Sequence, residues 1–260
     1  MSTSRAEQAA RRTQHGIGVQ LLDLFLMELS NWRWSWRLLL LQGIVTPLFS
    51  LGAMGFYARD WGQEALVYVA TGNIVVSLLF GTLHSLQSRM SWMRFQGGLD
   101  YVATLPVRHF VVVLAVMAAF LLLSLPSLLI TIAAGPLLLA IPLRLHPLAL
   151  LVIPCCSAPL AGVGAVLGLV GRTPQESNAL TFLLTLLLTA LGPVVAPPDR
   201  LPAVVVALGR LSPATYAASA LRQVLVGPVT LTLALDLAVL LGVTALSLAW
   251  VVRMMSWRQE

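Results

Sequence analysis

Uncharged apolar runs recur along the chain, and the polar positions gather between them instead of alternating with them. Runs of about 18 to 25 residues cross ~30 Å of hydrocarbon as helices. Six such spans are predicted, over 38–56, 67–86, 110–133, 148–170, 179–195 and 231–252. Ahead of them, residues 1–17 are polar and basic and predict a disordered cytoplasmic tail. Over 18–37 the pattern changes: Leu21, Leu22, Phe25, Leu29, Trp32 and Trp36 recur at helical spacing, with Gln20, Asp23, Asn31 and Ser35 elsewhere on the wheel. With Arg33 and Arg37 among the tryptophans, this predicts an amphipathic helix lying in the headgroup layer. The alternative is the opening of the first span. Residues 38–260 then form the body of an all-α polytopic membrane protein.

Composition agrees with the pattern. Of 260 residues 58% are hydrophobic and 10% charged, under half the charge of ordinary soluble domains. All 16 basic residues are arginine, so a phosphate-binding P-loop and Schiff-base chemistry, both of which need lysine, are excluded. The net charge of +6 comes from arginines flanking apolar runs, which predicts contact with anionic lipid headgroups and not with nucleic acid. With the N-terminus inside, the inner segments carry 11 arginines and the outer ones 5, so both termini are expected in the cytoplasm. The first spanning run begins near Leu38, too late for a cleaved leader. Cys155 and Cys156 are adjacent within an apolar run and read as small packing residues.

Two connections are unusual. The cytoplasmic one, 87–109, predicts a short helix; the outer one, 196–228, holds an apolar piece at 201–208, a break at 209–213 and then SPATYAASALRQVLVG. Neither outer piece is long enough to span, which predicts a re-entrant helical hairpin, with a loosely ordered loop as the alternative. These connections carry a resemblance. RMSWMRFQGGLDYVATLPVRHFVVVLAV resembles the cytoplasmic coupling segment of type-2 ABC exporter permeases, and LGRLSPATYAASALRQVLVG resembles that family's outer segment before its last span. Order, spacing and the six-span layout match over nearly the whole chain beyond about residue 20. Where the family often has glutamate before the leucine cluster, this chain has Gly97–Gly98–Leu99–Asp100.

The resemblance implies a permease subunit of a bacterial inner-membrane exporter that moves a drug, antibiotic, lipid or glycan outward. It implies two copies of an ABC ATP-binding subunit as partners and a second permease subunit, identical or paralogous. ATP and Mg would sit on the ATPase, with no cofactor on this chain. The ATPase-coupling residues it designates are Gly97, Gly98, Leu99, Asp100, Tyr101, Val102, Thr104, Leu105 and Pro106, and the outer gate residues are Pro213, Tyr216 and Arg222. Asp100 either pairs with a basic group on the ATPase or caps its own helix.

Polar residues inside the spans are costly and therefore informative. Asn73, Ser77, Thr181, Thr185 and Thr189 are candidates for lining a translocation path, the alternative for each hydroxyl being a bond to its own helix backbone. Asp236 is expected to snorkel, to pair with Arg222 or to face water, and His84 to lie at the inner interface. Gly164 and Gly168 form a G-x-x-x-G spacing expected to pack within the chain. The four histidines are isolated, there is no H-x-x-x-H pair and no G-x-S-x-G elbow. No catalytic or metal site is expected, which disfavours the rival reading of a lipid-modifying membrane enzyme. A secondary transporter, the other rival, would carry ionisable residues at mid-membrane.

Overall fold

The computed structural model describes residues 16–32, 36–98, 108–141 and 144–256, and no strand occurs among them. The helices are α1 (Ile17–Trp32), α2 (Trp36–Ala58), α3 (Gln63–Leu78), α4 (Ser85–Phe95), α5 (His109–Leu139), α6 (Ala149–Val170), α7 (Pro174–Ala190), α8 (Ala203–Gly209), α9 (Pro213–Leu225) and α10 (Thr232–Ser256). Between α3 and α4 lies a π-helical segment, Leu79–His84, so that Gln63–Phe95 is one helical stretch of 33 residues. Four stretches are long and apolar enough to cross a membrane: Gln63–Phe95, Phe110–Leu139, Ala149–Val170 and Thr232–Met255. A fifth arises if α8 and α9, bent by 87°, count as one broken span.

Several boundaries differ from the hydropathy pattern, each for a local reason. The fifth predicted span, 179–195, is instead α7 over Pro174–Ala190, with 17 residues. It starts early because Thr173 caps it: the Glu176 amide donates to Thr173 Oγ1 at 3.1 Å, Pro174 follows the cap, and the Glu176 carboxylate accepts from the Arg172 amide at 2.9 Å. It stops early because Gly192 takes φ +113° and Pro193 follows. The third span continues past 133 through Pro136 to Leu139, where Ala140 turns left-handed at φ 52°. At the N-terminus, α1 turns Gln20 and Glu28 into the protein and leaves Leu22 56% exposed, so its buried face is not the apolar stripe that spacing picks out.

The core is organised around α6, which packs against α10, α4, α9, α7 and the π-helical segment. Leu79, Leu83, Val152, Leu160, Leu221 and Leu240 are fully buried there. Gly164 and Gly168 face the span formed by α3 and α4, so the G-x-x-x-G spacing packs within the chain. A Cβ on Gly164 would collide with the Leu83 carbonyl; one on Gly168 would lie 2.5 Å from the Gln87 carbonyl oxygen and 2.7 Å from Met90 Cβ. Cys156, fully buried, points its thiol at the Ala217 carbonyl 3.7 Å away, and Cys155 is also unbridged. The broad exposed apolar faces of α2, α7 and α10, such as Phe49, Phe182 and Leu246, suit lipid or a partner helix.

Gly168→Val is expected to lower stability by about 1–3 kcal/mol through overpacking. Gly242→Ala, where nothing lies within 4 Å of the added carbon, is expected to leave it unchanged or slightly raised. Thermal denaturation in detergent compares the two.

Candidate functional site

The structure brings the threonines of α7 to the π-helical segment, where Thr185 meets His84, and leaves Asn73 and Ser77 apart from them on α3. Thr181, Thr185 and Thr189 stand four apart on α7 and so share one face, while Phe182, Leu183 and Leu186 are exposed on another. Each hydroxyl donates one turn back: Thr181 to the Ser177 carbonyl, Thr185 to that of Thr181 and Thr189 to that of Thr185, all at 2.8 Å. Local bonding of this kind satisfies the hydroxyl proton where no water is at hand. His84, at the end of the π segment, bridges to this ladder with Nε2 3.0 Å from Thr185 Oγ1. Its ring stacks on Phe80, centroids 4.9 Å apart and planes 4° from parallel. His84 is thus half-buried against α7. Asn73 and Ser77 lie on α3 and are buried; Asn73 donates to the Val69 carbonyl at 2.8 Å and its Oδ1 takes no hydrogen bond.

At the α4 end of this span, the chain leaves through Gly97, whose φ of 71° closes the helix, with Gly98 close against Met93. The remaining predicted coupling residues, Leu99, Asp100, Tyr101, Val102, Thr104, Leu105 and Pro106, lie outside the described residues. The helix leading to them is held from two sides. Arg89 Nε lies 2.7 Å from Glu28 Oε1 and Arg89 Nη2 donates to Oε2 at 2.9 Å, a two-point pair that fastens α1 to α4. Asn31, with its amide turned to suit, accepts from both terminal nitrogens of Arg89 at 3.2 Å. Arg94 donates through Nη1 to the Leu169 carbonyl and, at 2.7 Å, to that of Gly171, completing the C-terminus of α6.

The α8–α9 pair meets the start of α3. Pro213 is the first residue of α9, where its missing amide proton is no loss. The Tyr216 hydroxyl donates to the Arg210 carbonyl at 2.7 Å and staples the bend. Arg222 lies 3.6 Å above the Tyr68 ring and reaches the Pro193 carbonyl at 3.5 Å, joining α9 to α3 and to the loop after α7. Gly192 and Gly209 meet backbone to backbone beside it. Asp236 is buried and accepts from Gln223 Nε2 at 3.2 Å, and Gln223 in turn accepts from Thr230; no ion pair to Arg222 forms. Arg144 and His146 amides donate to the Leu225 and Val224 carbonyls at 2.8 and 2.9 Å, which closes the end of α9.

The sequence pattern does not show the Glu28–Arg89 pair, the π segment, the Phe80–His84 stack or the Tyr68 platform. One signal was legible: Glu28 is a lone acid between Met27 and Leu29, and such a charge calls for a partner. No group of three or more metal-ligating side chains occurs among the described residues.

A family model described as ABC-2 type transporter matches residues 20–226. Neither curated proteins nor solved structures give a match.

Glu28→Gln and Arg89→Gln are each expected to destabilise the chain by up to about 3–5 kcal/mol, because each strands a buried charge or its partner. The double variant should lose less than the sum, with a coupling of about 1–3 kcal/mol. Thermal unfolding of the four proteins completes the cycle.

Proposed function

The chain belongs to the ABC-2 type transporter family and is a multi-pass membrane protein, and from that premise we propose that it is the permease subunit of an ATP-driven exporter. The observation that carries this reading is the length and continuity of Gln63–Phe95, 33 residues in one helical stretch. At one end Tyr68 holds Arg222 of the outer hairpin, in the middle His84 holds Thr185, and at the other end Gly97 opens the coupling segment. A single rigid element of this kind transmits motion of a docked ATPase to both the seam and the hairpin.

In this reading α2 is the first span and α7 the fifth. At 17 residues α7 is about 26 Å long, which a locally thinned bilayer or a partner helix accommodates. The arginine bias of 11 to 5 supports cytoplasmic termini, and the family together with the arginine-only basic residues supports the inner membrane of a bacterium. Residues 99–106 seat in a groove on the ATP-binding subunit, two copies of which hold ATP and Mg, and a second permease subunit completes the pathway. The cargo is hydrophobic or amphipathic and crosses by alternating access along Asn73, Ser77, Thr181, Thr185 and Thr189. Pro213, Tyr216 and Arg222 act as the outer gate. Hydrolysis takes place on the partner.

An affinity pull-down of the tagged chain from its native membrane, assayed for ATPase activity, tests this reading. An ATP-binding protein is expected to co-elute and to be lost on Asp100→Arg or on combined Leu99→Ala and Leu105→Ala. A folded chain that elutes alone would move the assignment to a secondary transporter.

A further inference from the structure

The hydrogen-bonding sense of the seam restricts what it can recognise. Each threonine hydroxyl has a single proton, and those of Thr181, Thr185 and Thr189 all go to backbone carbonyls. Because the Thr185 proton is directed at Thr181, its oxygen accepts from His84 Nε2–H, and the neutral ring is left with Nδ1 as an acceptor. No hydrogen bond reaches that nitrogen from the described residues. Elsewhere in the same helical stretch two buried acceptors take no hydrogen bond, Asn73 Oδ1 and Gln87 Oε1; these residues are 0% and 2% exposed. Buried acceptors without donors are rare in native structures and point to a ligand or to motion.

Positive charge near the seam is already engaged. Arg89 is held at two points by Glu28, Arg94 caps α6, and Arg222 lies on Tyr68 and reaches Pro193. An anionic group entering here would set acceptor against acceptor. A donor-bearing group would find the His84 Nδ1 acceptor and the half-buried Phe80–His84 stack, whose ring faces favour a cation or a planar group. The π-helical segment supports the same location, since such segments concentrate at functional sites and this one sets both rings against α7.

We infer that the seam between Leu79–His84 and α7 selects cargo by its hydrogen-bond donors, taking neutral or cationic amphipaths with N–H or O–H groups and refusing anions. His84 Nδ1 is the accepting atom and Thr185 holds the ring in the tautomer that presents it. The inference rests on the permease reading and names the substrate class of the same site.

Three dansyl-labelled probes on one ten-carbon chain test it, ending in a primary ammonium, a trimethylammonium or a carboxylate. The trimethylammonium keeps the charge and has no N–H donor. Each is titrated by fluorescence against the full chain in lipid nanodiscs, with empty nanodiscs as the reference. The ammonium is expected to bind saturably, the trimethylammonium about tenfold more weakly, and the carboxylate not at all, as one charge-assisted hydrogen bond predicts. His84→Leu should weaken the ammonium about three- to tenfold and the trimethylammonium, which loses only a ring face, clearly less, and His84→Gln, which keeps an acceptor, should restore part of the loss. Thermal melts establish that both variants are folded. Equal affinity for ammonium and trimethylammonium overturns the inference, as does preference for the carboxylate, an equal loss of both cations in His84→Leu, or no saturable binding. No ATPase is needed for binding, so this result and ATPase co-elution succeed or fail independently.

Discussion

Everything else in the bundle depends on how closely α6 approaches the span formed by α3 and α4. With Gly164 against the Leu83 carbonyl and Gly168 against Gln87 and Met90, the two helices meet at backbone distance. In hydrocarbon no hydrophobic drive joins apolar helices, so dispersion across such close contacts is the main attraction. A side chain at either glycine would push the long helical stretch outward and take His84 away from Thr185. The same closeness lets Arg94 reach the carbonyls that end α6, so the inner ends of the two helices are held as one piece.

That arrangement gives the bundle a stiff half and a separable half. On the stiff side, glycine contacts and arginine caps join α4 to α6, and the Glu28–Arg89 pair adds α1. On the other side the polar links are few, one histidine–threonine bond to α7 and one guanidinium over a tyrosine ring to α9, and apolar packing of Leu221, Val224 and Leu225 holds α9 to the core. Such polar contacts are worth about 0.5–2 kcal/mol each.

Hydropathy alone placed the apolar stretches, the all-α class and the break between α8 and α9 at 209–213. The connection expected over 87–109 instead begins as the end of the helical stretch Gln63–Phe95, and its residues 99–107 lie outside the described residues. Helix ends were less legible. Hydropathy put the fifth span at 179–195, whereas Thr173, Pro174 and Glu176 start α7 earlier and Gly192–Pro193 end it sooner. Pro136 did not end α5, because a proline removes one amide bond and neighbouring packing sustains the helix around it. The threonines named as path candidates do share one face of α7, yet their partner His84 could not be read from spacing. The π segment shifts the rotation of the helix after Leu78, so a 3.6-residue wheel drawn through Asn73 and Ser77 misplaces it. Asp236 was expected to snorkel, to pair with Arg222 or to face water; its hydrogen-bond partner Gln223, an uncharged neighbour 13 residues away in sequence, was not legible.

The central claim is that ATP held by another subunit drives cargo outward through this chain. The direct measurement is accumulation of a fluorescent amphipathic amine in inside-out membrane vesicles containing the chain and its ATP-binding partner, with ion gradients collapsed by ionophores. The account predicts uptake that requires ATP and disappears when the partner's phosphate-binding lysine is replaced. Uptake that persists without ATP and follows an imposed ion gradient would contradict it.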